Sequence, residues 1–119
     1  MTIDRLILEE YRALIRGNPD AFIAEVVTTY LDNSSQALEK LRDAVARGDS
    51  ETAARLAHSV RGGSLSVGAN RMAELMGSLE ETARGGSLDG AAQTMTAAEQ
   101  EFEAVGAALR EMAGLPPAA

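Results

Sequence analysis

Apolar residues recur every three or four positions along most of the chain, which is the spacing of one face of an α-helix. The first such segment runs from about Thr2 to Arg16, where Gly17 is expected to end it. Its apolar stripe consists of Ile3, Leu6, Ile7, Leu14 and Ile15. Asn18 can then cap the free amides of a second helix, which begins at Pro19. This helix is predicted to continue to residue 47 and to be ended by Gly48.

Three further helices are predicted, over about residues 50–66, 69–84 and 88–112. Asp49 or Ser50 can cap the third helix, and Ser87 or Asp89 the fifth. Their inward positions are predicted to include Ala53, Leu56, Ala57, Val60, Ser64, Met72, Leu75, Met76, Leu79, Ala83, Ala91, Met95, Ala98, Phe102, Val105, Leu109 and Met112. Because the connections are short, helices two to five should run antiparallel.

The predicted fold class is therefore all-α, an antiparallel up-and-down four-helix bundle with an additional N-terminal helix packed across or beside one end. We expect one domain over residues 1–113, since Gly114 and the two prolines after it break the last helix. Residues 114–119 are predicted to be a loose tail. Met1 and this short tail favour a free-standing protein.

Composition agrees with such a bundle and excludes several classes of protein. Hydrophobic residues make up 45% of the 119-residue chain but aromatic residues only 3%, so alanine, leucine, valine and methionine must fill the core. The absence of cysteine removes disulfides and thiolate sites. No segment is apolar over the ~20 residues of a membrane span. A net charge of −7 with scattered basic residues argues against nucleic acid as a partner. We expect a cytoplasmic protein, monomeric, with no membrane partner.

The sequence lacks the residues that several kinds of catalytic site or metal site require. There is no P-loop, no kinase-type glycine loop and no nucleophile elbow, so the chain is not expected to be an enzyme with turnover of its own. Di-iron bundles use a glutamate three residues before a histidine, but position 55 is an arginine. The two methionines of the fourth helix have no cysteine or second histidine near them and are interpreted as core residues. No cofactor and no metal are expected.

The remaining chemistry is concentrated at His58, the only histidine, near the middle of the third helix. Arg61 and Gly62 follow three and four positions later and therefore lie on the same helix face. Arg61 supplies a positive charge, and Gly62 leaves room for an approaching molecule. A lone histidine on a helix is more often an ordinary polar residue, but the adjacent Gly62 and Gly63 each cost about 1 kcal/mol relative to alanine.

The glycine pair could instead serve the fold alone, by ending the helix or by allowing close packing between helices. Apolar residues continue in helical register beyond it at Leu65 and Val67. We therefore expect the helix to run through Gly62 and Gly63, which favours a functional reason for the pair.

The run from His58 to Ser64, His-Ser-Val-Arg-Gly-Gly-Ser, resembles the signature of histidine-containing phosphotransfer (HPt) domains. Gly68, ten positions after the histidine, and the Leu79-Glu80 pair add to the resemblance, which extends over nearly the whole chain. The family most often has lysine where this chain has Arg61, and arginine keeps the charge but differs in shape and hydrogen bonding.

The resemblance implies a phosphorelay phosphotransfer protein of two-component signalling. His58 would receive a phosphoryl group from a receiver-domain aspartate or a histidine kinase and pass it to the aspartate of another receiver. Any Mg²⁺ would then be held by the receiver. A neutral imidazole, with a reference pKa of ~6.5, is a suitable nucleophile at cytoplasmic pH. The alternative is a helical-bundle interaction module that binds a receiver or kinase domain without being phosphorylated.

Helix geometry points to Glu80 as the group that orients the imidazole. Folding the third and fourth helices back about Val67 places Glu80 ~6 Å farther from the turn than His58, at 1.5 Å per residue. Because side chains tilt toward the N-terminus of their own helix, the two side chains lean together. A carboxylate that accepts the hydrogen of one ring nitrogen would leave the lone pair of the other facing solvent. Otherwise Glu80 is a solvated acid like Glu81.

Overall fold

The computed structural model describes residues 2–118, and this part of the chain contains helices and no strand. The helices are α1 (Arg5–Leu14), α2 (Pro19–Arg47), α3 (Ser50–Ser66), α4 (Asn70–Arg84) and α5 (Ala91–Met112). Each of α2 to α5 packs against the next and α5 packs against α2, which closes a four-helix ring, while α1 packs against α2. The predicted all-α bundle with an additional N-terminal helix is confirmed. The terminal residues of the predicted domain and tail, Met1 and Ala119, lie outside the described residues.

The sequence signals at both ends of α2 and at the start of α3 act as predicted. The Asn18 side chain accepts a hydrogen bond from the backbone N–H of Ala21, with proline at the first helical position. Gly48 ends α2 with φ at +72°, a conformation that side chains disfavour. Asp49, one of the two predicted caps, then accepts from the N–H of Thr52. Short, well-capped connections hold α2 and α3 antiparallel.

The structure corrects the prediction for the first helix. The helix begins at Arg5 rather than near Thr2, because the Asp4 side chain caps it by accepting from the N–H of Leu6. The predicted apolar stripe was also wrong in part, since Leu6 and Leu14 are 63% and 78% exposed. Only a narrow face of α1, which includes Leu8, is buried because the helix packs at one end of the bundle.

The start of α5 also differs from the prediction. Gly90, with φ at +75°, occupies the N-cap position, and no side chain caps the helix. The hydroxyl of Ser87, one of the two predicted caps, instead accepts a hydrogen bond from the N–H of Asp89 within the connection. The helix therefore begins at Ala91, one turn after the apolar pattern starts at Leu88.

The core consists of small and medium-sized aliphatic residues, as the composition requires. Met72 and Met76 are fully buried, in agreement with their interpretation as core residues. The hydroxyls of Tyr30 on α2 and Ser64 on α3 share a buried hydrogen bond of 2.7 Å. Burial raises the pKa of Tyr30, so the phenol remains neutral inside the bundle. This pair connects α2 to α3 inside the bundle.

The connection between α3 and α4 is held by the N-terminal segment. Gly68 has φ at +78°, and a Cβ atom at this position would lie 2.5 Å from the carbonyl oxygen of Asp4. The N–H of Asp4 donates to the Gly68 carbonyl at 2.7 Å, and the Tyr11 hydroxyl donates to the carbonyl of Ser66 at 2.9 Å. The glycine ten positions after the histidine thus has a structural role, which is to let the N-terminal segment close over the turn that aligns α3 with α4.

Candidate functional site

His58 lies at the middle of α3 on the boundary between the core and solvent. Ala57 and Val60 are buried on the inner side of the helix, whereas 61% of the His58 side chain is exposed. The packing of the neighbouring residues thus fixes the helix, and the imidazole projects from its outer side. A side chain in this position is accessible to a macromolecule.

The imidazole contacts Glu80 on α4, at the position that helix geometry predicts. The Nδ1 atom of His58 lies 2.9 Å from Oε2 of Glu80. An ionised carboxylate can only accept a hydrogen bond, so Nδ1 carries the hydrogen, and in the neutral imidazole Nε2 then has the lone pair. Glu80 itself is only 8% exposed, which leaves little room for water to replace the imidazole. The structure therefore brings the two predicted residues together.

A third residue of this cluster, Arg84, was missed in the sequence. Its Nε and Nη2 atoms lie 2.8 and 2.7 Å from the same Oε2 atom of Glu80. Arg84 follows Glu80 by four positions on α4, and a glutamate four residues before a basic residue is a recognised helix pair. That spacing could have indicated the contact once Glu80 had been singled out.

The hydrogen bonds determine the ionisation state of Glu80. Burial alone raises the pKa of this carboxyl group, because it disfavours the charged form. The hydrogen bonds from Arg84 and His58 together outweigh burial and hold the pKa of Glu80 below its ordinary value. Glu80 is therefore a carboxylate at neutral pH, the form that accepts the Nδ1 hydrogen.

Arg61 lies on the adjoining surface, where its side chain extends across α4 above Gly77. A Cβ atom at Gly77 would lie 3.3 Å from Nε and 3.4 Å from Cδ of Arg61. Within residues 2–118 the structure shows no hydrogen bond or ion pair from Arg61 to His58 or Glu80. Gly77 was also missed, although a glycine in a helix interior is a signal for close approach. Arg61 and Glu80 line the same depression in the surface of the protein.

The two glycines after His58 have different surroundings. The helix runs through both, as predicted. A Cβ atom at Gly63 would lie 3.3 Å from the ring of Tyr30, so this glycine permits close packing of α2 on α3. A Cβ atom at Gly62 would meet no heavy atom within 4 Å. Packing thus explains Gly63, whereas Gly62 leaves an open surface beside the imidazole.

The described part of the chain lacks two other kinds of feature. Over residues 2–118, no group of three or more histidine, cysteine, aspartate or glutamate side chains is arranged to hold a metal ion. In the same range, none of the helices combines the length and apolar character needed to cross a membrane.

Comparison with known proteins gives two matches. The model of the Hpt domain family matches residues 25–108, a range that includes α3 and α4 with both His58 and Glu80. The crystal structure of histidine-containing phosphotransfer protein B (HptB) from Pseudomonas aeruginosa PAO1 aligns with a TM-score of 0.85. The two chains are 26% identical, and the alignment covers 95% of each. No curated protein matches the chain.

Proposed function

This chain belongs to the Hpt domain family and acts in histidine phosphotransfer within phosphorelay signalling, and from that premise we propose that His58 carries the phosphoryl group. The observation that supports this assignment most strongly is the 2.9 Å contact between Nδ1 of His58 and Oε2 of Glu80. It leaves the lone pair on Nε2 of a side chain that is 61% exposed. No other histidine is available in the sequence.

We propose the following transfer step. The lone pair of Nε2 forms a bond to the phosphorus of an aspartyl phosphate on a receiver domain. The bond from phosphorus to the aspartyl oxygen breaks, and its electron pair leaves with the carboxylate. The ring of His58 becomes positively charged because the hydrogen stays on Nδ1, where the carboxylate of Glu80 balances the charge. In the next step an aspartate of a second receiver attacks phosphorus, and Nε2 departs as neutral imidazole.

Arg61 and Gly62 are proposed to serve the approach of the partner. The guanidinium of Arg61 can turn from Gly77 toward the phosphoryl oxygens and offset the charge that develops during transfer. Gly62 leaves space for the partner's surface. On the side of α3 that carries Ser59 and Gly63, a groove of about 450 Å³ lies against α2 and extends this surface.

The remaining assignments follow from a carrier role. We propose that the partners are response-regulator receiver domains and a sensor histidine kinase, and that the chain is a cytoplasmic monomer without turnover of its own. Metal chemistry would be supplied by the receiver. We propose residues 1–113 as the functional unit, because the N-terminal segment holds the connection between α3 and α4 through Asp4 and Tyr11. Residues 114–119 would form a tail.

The test is to incubate the chain with receiver domains that carry a labelled phosphoryl group on aspartate. We expect label on the chain that is stable in alkali and labile in acid, the behaviour of a phosphohistidine. His58→Gln should remove the label and keep the helical content and melting temperature, because the exposed imidazole contributes little to packing. A passive interaction module would bind the receiver but acquire no label, and label on the His58→Gln variant would contradict the assignment.

A further inference from the structure

We infer that Arg84 is a positioning residue for the reaction at His58: its guanidinium fixes the Glu80 carboxylate so that Oε2 accepts the Nδ1 hydrogen of the imidazole. The inference rests on the proposed role of His58. It adds a residue that lies outside the signature stretch of α3 and that touches no reacting atom in the structure.

The geometry of Oε2 carries the inference. Three nitrogen atoms surround this one oxygen: Nδ1 of His58 at 2.9 Å, and Nε and Nη2 of Arg84 at 2.8 and 2.7 Å. The guanidinium is planar and its donors form a rigid fork, so two contacts to one oxygen define its position. Arg84 lies in the last turn of α4, one helical turn from Glu80, and the shared helix limits how far the two side chains can separate.

Fixing this oxygen matters because histidine has two neutral tautomers. Only the tautomer with hydrogen on Nδ1 has a lone pair on Nε2, the nitrogen that does not contact Glu80. Without Arg84, the Glu80 carboxylate would lose two of the three nitrogen contacts at Oε2, the hydrogen bond from Nε and the ion pair with Nη2, and could rotate away from the imidazole. The cation also keeps Glu80 ionised, so that it remains an acceptor and does not compete as a hydrogen-bond donor.

Another arginine of α4 provides a matched control. Arg71 lies in the first turn of the helix, is exposed, and forms a pair with Glu74 at 3.8 Å. Arg71→Gln changes the net charge by the same amount as Arg84→Gln but leaves Glu80 and His58 untouched. Any effect of overall charge on partner binding should therefore appear in both variants, whereas an effect of positioning should appear in Arg84→Gln alone.

The first measurement is the tautomer of His58, read from the nitrogen chemical shifts of labelled imidazole at about pH 8, where an imidazole is ordinarily neutral. In the parent chain and in Arg71→Gln we expect the hydrogen to be mainly on Nδ1. In Arg84→Gln the Nδ1–H fraction should fall, and the initial rate of phosphorylation by phosphoramidate, a small donor, should fall about threefold. Arg84→Lys keeps the positive charge but has a single donor nitrogen, and it should recover part of both values.

The two readouts separate this inference from the proposed function. If Arg84→Gln keeps the parent's tautomer, or lowers the phosphorylation rate without changing the tautomer, the positioning role is wrong even though His58 still carries phosphate. If the tautomer shifts as expected but the parent chain accepts no phosphoryl group from phosphoramidate or from receivers, the positioning role stands and the proposed function fails. Circular dichroism of both variants checks that the fold is retained, as expected for an arginine side chain that is 60% exposed.

Discussion

Replacing Glu80 by alanine tests whether its contact with His58, which joins α4 to α3, supports the reaction at the imidazole. The substitution removes the acceptor for Nδ1 of His58, which lies 2.9 Å away. A hydrogen bond to a charged group contributes about 1.5–3 kcal/mol. Because most of the His58 side chain is exposed, water can hydrogen-bond to Nδ1 once the carboxylate has been removed, so we expect a net loss of about 1 kcal/mol. That energy corresponds to a rate of phosphorylation about fivefold lower, since about 1.4 kcal/mol changes a rate tenfold.

The same substitution should affect folding little. Arg84 loses its partner but is 60% exposed and can be solvated, and the cavity left by a carboxylate at the edge of the core is partly open. Glu80→Gln retains an oxygen acceptor without the charge and should lose about twofold in rate, less than the alanine variant. The rate is measured as the initial transfer of label from a phosphorylated receiver domain at a concentration well below saturation.

Glu81→Ala is the matched control for this prediction. Glu81 is the neighbouring acid on α4, and it is exposed. The control removes one negative charge near the site, as Glu80→Ala does, but no acceptor of the Nδ1 hydrogen. If both alanine variants transfer phosphate at the same rate, the contact between Glu80 and His58 has no role in the reaction, and the reasoning from the tautomer is refuted.

The other predictions concern the glycines and Arg61. Gly62→Ala should raise the free energy of unfolding by about 0.5–1 kcal/mol in a denaturant titration, because its Cβ would meet nothing; Gly63→Ala should not, because its Cβ would press on Tyr30. A larger side chain, Gly62→Gln, should slow transfer from a receiver far more than it alters stability. Gly68→Ala should lower stability by about 1–2 kcal/mol or more, because its φ is positive and Asp4 lies against it. Arg61→Ala should slow transfer or shorten the phosphohistidine lifetime, whereas Arg61→Lys should retain most activity; equal rates for the parent and the alanine variant would remove Arg61 from the mechanism.

The sequence predicted the bundle well because its signals are local. Asn18 with Pro19, Gly48 and Asp49 each act within one turn of the chain, so they could be interpreted without knowledge of the packing. The register of the long helices also follows from periodicity alone. The errors concern features that depend on how segments far apart in the sequence pack together. The exposed face of α1 depends on how little of that helix the bundle covers, and periodicity does not contain this information.

The same distinction applies to the site. Glu80 could be predicted because two antiparallel helices joined by a short turn have a calculable register. The contact between Arg84 and Glu80 depends on the rotamer of the Arg84 side chain, and several rotamers are compatible with the same sequence spacing. The place of Arg61 above Gly77 depends in the same way on contact between two helices. Sequence spacing therefore predicts which residues can meet, whereas packing decides which of them do.

Gly62 connects stability to function most directly. Glycine in a helix interior is destabilising by about 1 kcal/mol relative to alanine. Contact with the ring of Tyr30 offsets this cost at Gly63, but the structure shows nothing near Gly62 that would do so. A residue that weakens the free protein without a packing reason, one turn from an exposed imidazole, is explained if a second surface must approach there. The open space at Gly62, rather than any contact that it makes, is therefore the strongest structural argument for the proposal that a partner binds to this face of α3.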